Sequence, residues 1–302
     1  MSRRDALRLF SAAAAAVACG VTPAIAGTRL MMTRRIPSTG EELPVIGLGT
    51  WQTFDVGRAA ADRAPLEEVL REFVAMGGRV IDSSPMYGRS EEVAGAIAAK
   101  LGLHEKLFVA TKVWTTGRRR GIEQMASSIE KLRAKRIDLM QIHNLVDAEA
   151  HLPTLRKMQR DGRIRYIGVT HYHSGAYGEV EALLRRETLD FLQINYSVAE
   201  REAERRLLPL AREKKIAVIA NRPFASGALF QRTRARPLPS WAAEIDCESW
   251  AQVLLKFVVS HPAITCAIPA TSKANHLRDN MTAGSGRMPD EGMRARILKE
   301  IA

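Results

Sequence analysis

Cysteine is scarce: the 302-residue chain holds three, and one of them, Cys19, falls in a leading segment unlike the rest. So few thiols exclude a disulfide framework. One bridge between Cys247 and Cys266 is open but not required, and Cys266, within the apolar run Ile264 to Ile268, suits a small core residue. No Cys-x-x-Cys spacing occurs, and His171 and His173 have no acidic or thiol companion nearby in sequence, so no metal site is expected. A Gly-x-Gly-x-x-Gly turn after the first strand is also missing, which counts against an open doubly wound sheet. The net charge is +12, but the basic residues are scattered: Arg118 to Arg120, Arg133 with Lys135 and Arg136, Arg205-Arg206, then Arg232, Arg234 and Arg236. They lack interleaved aromatics or a base-reading motif, so no nucleic-acid partner is expected. Solvated surface charge, with mild attraction to anions, is the better reading.

What is present begins with residues 1–26. Arg3-Arg4 open the chain, Leu9 to Val21 is an alanine-rich apolar run, and Ala24-Ile25-Ala26 is a small-x-small cleavage site. Those three parts describe a signal peptide, and the Ser-Arg-Arg start resembles a twin-arginine signal. The run is too short and too rich in alanine for a stable membrane span. Cys19 follows Ala16-Val17-Ala18, a poor lipobox without leucine. The expectation is a passenger of the twin-arginine export machinery, cleaved near Ala26 and periplasmic, or cytoplasmic if export is inefficient. The resemblance implies a protein exported already folded, as cofactor-loading proteins are.

Residues 27–302 read as one domain with a steady strand–helix beat. Arg34 to Gly49 predicts a hairpin, turning at Thr39-Gly40, and then a strand. Leu66, Val69, Leu70, Phe73 and Val74 recur at helical spacing, and Gly77-Gly78 stop that helix before the strand at Val80. Helices follow at about 90–100, 122–132, 152–160, 177–185, 203–213 and 250–258, each leading to a short apolar strand. Leu229 to Glu248 is irregular enough to be an active-site loop. Strands without alternation are buried on both faces, as in a parallel barrel. In a closed barrel the strand ends converge on one face, and Asp82, Tyr87, Lys112 and His143 all fall at or just after such ends. A carboxylate, a phenol, an ammonium and an imidazole gathered there form a proton-transfer site.

The chain resembles the aldo-keto reductases over nearly all of residues 34–302. The motifs are Gly47-Leu48-Gly49-Thr50-Trp51, Ile81-Asp82-Ser83-Ser84-Pro85-Met86-Tyr87-Gly88 and Thr111-Lys112-Val113-Trp114. Ile137 to His143, Tyr166 to Thr170, Gln193 to Tyr196 and Ile268 to Ser272 continue the series in order. The resemblance implies a (β/α)8 barrel of the TIM type, with NADPH across its C-terminal face and NADH as the alternative, reducing carbonyls to alcohols. Tyr87 is then the proton donor, Lys112 the cation that lowers its pKa, Asp82 the anchor of Lys112, and His143 the N–H that orients the carbonyl oxygen.

By the same resemblance, Gly49 and Thr50 sit at the nicotinamide ribose beside Asp82. Thr170 and His171 take the places of a serine and asparagine on the carboxamide, and Gln193 matches a glutamine there. After the seventh barrel strand the family commonly shows a tyrosine stacked on the nicotinamide, where this chain has Asn221; Arg222 is offered as a phosphate contact instead. Ala270 and His276 stand where a lysine and arginine often hold the 2′-phosphate. Ser272, Lys273 and Arg278 are candidates to replace them, and Asn280 matches the adenine contact. Trp51, Met86 and Trp114 line an apolar mouth. Only 22 residues follow Asn280, and Asp290 to Ile301 reads as a closing helix, so an open pocket is expected that favours aldehydes over hindered ketones. The sequence leaves the oligomeric state open. The alternative function is a catalytically idle barrel that senses nicotinamide redox state or serves as an interaction module.

Overall fold

The structure is a computed structural model that describes residues 30–301; the expected signal segment lies outside the described residues. Strand β1 (Thr33–Arg35) pairs antiparallel with β2 (Glu42–Pro44), with Arg34 opposite Leu43. Gly40 turns this hairpin at φ +78, its amide donating to Ile36 O at 2.8 Å. Ile36 and Leu43 are fully buried and join Val80, Phe108, Leu139, Tyr166 and Phe191 in one apolar cluster inside the barrel. The hairpin is therefore the barrel's floor. The Tyr166 hydroxyl lies 2.9 Å from Thr39 Oγ1 and donates to Glu41 Oε2 at 2.8 Å, while Arg165 bridges Glu41 and Asp138.

Eight parallel strands stand on that floor in chain order: β3 (Leu48–Gly49), β4 (Val80–Asp82), β5 (Phe108–Val113), β6 (Ile137–His143), β7 (Ile164–His171), β8 (Phe191–Asn195), β9 (Ala217–Asn221) and β10 (Cys266–Ala267). Parallel bridges Ile46↔Ala267 and Gly49↔Ala270 join the first strand to the last, which rules out an open sheet. Helices Ala60–Ala75, Ser90–Lys100, Arg118–Leu132, Ala148–Arg160, Tyr177–Arg186, Leu207–Glu213, Trp250–Ser260 and Ala274–Thr282 surround it, and Glu291–Ile301 ends the described chain. This is the (β/α)8 barrel with an N-terminal hairpin.

Burial on both faces hides a period of two. In β6, Met140 and Ile142 pack outward in the layer under the helices, whereas Leu139 joins the inner cluster. The same parity turns Gln141 and His143 inward, and Lys112 inward from β5 above Phe108 and Ala110. The two cysteines among the described residues are free and buried, Cys266 inside the barrel and Cys247 in the outer layer, so the bridge left open by the sequence is not formed.

Two predicted segments differ. The helix expected over 203–213 is a 3-10 turn, Glu202–Arg205, followed after Arg206 by the helix Leu207–Glu213. Pro209 has no N–H to offer Arg205 O, so the helix restarts with the proline in its first turn. The stretch 229–248, expected as an irregular loop, contains a helix, Ala228–Thr233, and a 3-10 segment, Ser240–Ile245. Trp241 and Ile245 bury there, and Lys256 Nζ donates to Ile245 O at 2.7 Å.

Candidate active site

Inward parity and strand length place the polar ends of β4, β5 and β6 above the apolar rows. Asp82, Lys112 and His143 are 2 %, 1 % and 6 % exposed. Lys112 Nζ donates to Asp82 Oδ2 and to Ser83 O, both at 2.6 Å, and Gln141 Nε2 donates to Asp82 Oδ1 at 3.1 Å. Tyr87 reaches the same place from the turn after β4. That turn closes through Tyr87 N to Ser84 O, and its next residue, Gly88, has φ +58. A Cβ at Gly88 would lie 2.3 Å from Asp55 Oδ2, so only glycine lets the turn pass beneath Asp55, which accepts from Arg89 N at 3.0 Å.

The four predicted groups converge. Lys112 Nζ is 5.1 Å from the centre of the Tyr87 ring, and the Tyr87 and His143 rings meet edge to face at 5.8 Å. Burial works against the Lys112 charge, but Asp82 and Tyr87 outweigh it and hold the ammonium above the ordinary lysine value. Burial, then the Lys112 charge, push the His143 imidazole down to about 3, so it is neutral in ordinary buffers. For Tyr87 the sequence reading needs correction. Burial raises the phenol more than Lys112 lowers it, and its value lies above the ordinary 10.0.

Further contacts at the site were not singled out from sequence. Ser84, fully buried, places Oγ 2.9 Å from His143 Nδ1. Gln141 supplies the second hydrogen bond to Asp82. Gln141 could have been found by parity, two residues before His143. Ser84 lies beyond the strand and carries no periodic signal.

The predicted cofactor residues line the same C-terminal rim. Gly49 N donates to Pro269 O at 3.0 Å, and the buried Thr50 hydroxyl lies 2.9 Å from Ser83 Oγ and 3.0 Å from Asp82 O. Thr170 and Gln193 are buried neighbours on β7 and β8, and Gln193 Oε1 has no hydrogen-bond partner among the described residues; nor has Asn221 Oδ1 on β9. His171 Nδ1 accepts from His173 N at 3.1 Å. Arg222, at φ +50, donates to Tyr172 O at 3.2 Å and lies 3.6 Å from Glu200. Ser272 and Lys273 are exposed just before the helix Ala274–Thr282, whose N-terminus has no side-chain cap, and Asn280 is buried on that helix. Arg278 is not turned to this group: it pairs with Glu72 at 2.5 Å and Glu68 at 3.5 Å on the helix Ala60–Ala75. At the mouth Trp51, Met86 and Trp114 are 46 %, 39 % and 42 % exposed, and the Trp114 ring stands 6.5 Å from that of His143. No group of three or more histidine, cysteine or acidic residues able to hold a metal occurs among the described residues.

Known proteins resemble the chain over most of its length. Methylglyoxal reductase YeaE of Escherichia coli (strain K12) is 30 % identical over 258 residues, covering 83 % of this chain and 89 % of that protein. Among solved structures, an aldo-keto reductase of Klebsiella pneumoniae in complex with NADPH is 26 % identical, with a TM-score of 0.72 over 90 % of this chain and 95 % of its own. The holo form of the aldo-keto reductase AKR11C1 of Bacillus halodurans, at 19 % identity, shares the fold with a TM-score of 0.74 over 90 % of this chain and 96 % of its own. Residues 45–297, from just before the first barrel strand into the last helix, match the profile of the Aldo/keto reductase family, and the chain belongs to that family.

Proposed function

We propose that this protein is an NADPH-dependent reductase of small aldehydes with Tyr87 as the proton donor. The observation that carries the reading is the buried Asp82–Lys112 pair set 5.1 Å from the Tyr87 ring, with a neutral His143 beside it. Bound reduced nicotinamide would supply a hydride to the carbonyl carbon. The protein's task is the oxygen, which gains negative charge. Tyr87, raised by burial, keeps its proton until that charge develops; Lys112 then stabilises the phenolate left behind. Asp82 and Ser83 O hold Lys112 in place, and His143 donates a ring N–H to the same oxygen without adding a charge.

The residues present fit the cofactor. Gln193 Oε1 and Asn221 Oδ1 are buried acceptors in need of a donor, which a carboxamide NH₂ provides. Gly49, Thr50, Thr170, His171 and Gln193 would hold the nicotinamide half, Arg222 a phosphate, and Ser272, Lys273 and Asn280 the adenosine end. Lys273 beside an uncapped helix start favours NADPH over NADH. Similarity to a methylglyoxal reductase supports small reactive aldehydes as substrates. Export through the twin-arginine pathway to the periplasm, with residues 1–26 as the signal, completes the proposal; it rests on Arg3-Arg4, the run Leu9 to Val21 and Ala24-Ile25-Ala26.

NADPH oxidation with an aromatic aldehyde and with methylglyoxal, wild type beside Tyr87→Phe, tests the chemistry. Turnover is expected, with kcat of the variant down about 10²- to 10⁴-fold and cofactor binding retained. A wild type that binds NADPH yet reduces nothing across an aldehyde panel would sink the proposal in favour of an idle, redox-sensing barrel.

A further inference from the structure

We infer that Ser84 is a positioning residue that fixes His143 in the tautomer carrying its proton on Nε2. The inference deepens the proposed reductase chemistry and rests on it for its consequence, but not for its test. Ser84 is fully buried, so its hydroxyl proton must find an acceptor within the protein. The Ser84 side chain has two hydrogen-bond contacts among the described residues: His143 Nδ1 at 2.9 Å and the Met86 N–H at 3.4 Å. The Met86 amide can only donate, and it takes a lone pair of Oγ. The imidazole nitrogen is then the one acceptor for the Ser84 proton.

His143 is neutral, with burial and the Lys112 charge both opposing protonation, so one ring nitrogen carries hydrogen and the other does not. With Nδ1 accepting from Ser84, the hydrogen resides on Nε2. In the opposite arrangement Nδ1–H would donate to Oγ, leaving the Ser84 proton buried without an acceptor. Nε2 would then present a lone pair, which repels a carbonyl oxygen instead of binding it. Leaving that buried donor unsatisfied disfavours the opposite tautomer by about 5- to 150-fold.

Ser84 is itself held by the turn that delivers Tyr87. Its backbone carbonyl accepts from Tyr87 N at 3.0 Å, and Pro85 follows it in the chain. One short segment therefore carries the proton donor and the group that aims the second donor. The two hydrogen-bond donors to the carbonyl oxygen are set by the same five residues, 83–87.

The test is long-range ¹H–¹⁵N correlation NMR of the ¹⁵N-histidine-labelled full-length protein near pH 7, with His143 assigned from the signals lost in His143→Gln. A protonated Nε2 and an unprotonated Nδ1 are expected for wild type. Ser84→Ala should show mixed tautomers or the Nδ1–H form, and Ser84→Thr should restore the wild-type pattern. In parallel, kcat/KM for the aldehyde should fall about tenfold in Ser84→Ala, the size of one hydrogen bond, with KM for NADPH unchanged and Ser84→Thr rescued. An Nδ1–H signal in wild type overturns the inference even if Ser84→Ala does not fold. An unaltered Nε2–H pattern in folded Ser84→Ala overturns it as well. Absence of any turnover would count against the reductase proposal alone, since the spectra do not depend on it.

Discussion

Replacing Lys112 by methionine keeps a straight side chain of similar length and deletes one charge from a pair that is almost wholly buried. Asp82, 2 % exposed, would retain only the Gln141 amide at 3.1 Å. Two unit charges 2.6 Å apart attract by about 6 kcal/mol at an effective dielectric of roughly 20, and desolvation of both ions offsets much of that. The net cost of removing one partner from such a pair is about 3–5 kcal/mol, because the remaining charge is stranded. Lys112→Met and Asp82→Asn should each lose about that much. The double variant holds no stranded charge, so it should be more stable than either single change, with a coupling energy of about 2 kcal/mol or more. It falls short of wild type because Ser83 O also loses its donor. Urea unfolding at pH 7, followed by tryptophan fluorescence and circular dichroism together, gives the four free energies. Lys112 is held above the ordinary value of 10.5, so its contribution is complete below that value and vanishes only as pH rises through the raised one. Single variants costing under about 1 kcal/mol, or strictly additive losses in the double, would refute a tightly coupled buried pair.

Gly95→Ala should destabilise the protein by about 1–3 kcal/mol, lowering its thermal midpoint despite alanine's better helix propensity. The added Cβ would sit 2.2 Å from Lys131 O and 2.6 Å from Leu132 Cα, backbone that cannot swing aside, and a raised midpoint would contradict that packing. His143, pushed down to about 3, binds its proton in the unfolded chain first, so it contributes stability above the ordinary 6.5 that is lost as pH falls from there toward 3. His143→Gln should flatten that part of the stability profile, and an unchanged slope would show that the imidazole is not held neutral. Changing Arg3 and Arg4 to lysine should retain the protein in the cytoplasmic fraction; an unchanged periplasmic signal would remove the twin-arginine assignment.

Strand ends were the most legible part of the site. Asp82, Lys112 and His143 each close a short apolar run, and a closed parallel barrel leaves such residues nowhere to go but the upper rim. Tyr87 was legible through its motif, since no periodicity marks a loop residue. Less accessible was anything decided by competition between forces. A sequence shows that Lys112 is near Tyr87 but not that burial outweighs it, so the direction of the phenol's shift came out reversed. Arg278 looked available as a cation because Glu68 and Glu72 lie some two hundred positions earlier, and only the barrel's closure brings their helix alongside. Pro209 carried a visible warning for the helix over 203–213, whereas the order within 229–248 depends on tertiary anchors such as Lys256.

The hairpin floor also has a consequence for traffic. Ile36 and Leu43 stop the bore from below, with Phe108, Tyr166 and Phe191 filling it just above, so the well has a single doorway at the rim. Any molecule that reaches Asp82, Lys112 and His143 therefore comes in from the rim, past Trp51, Met86 and Trp114, and goes out the same way.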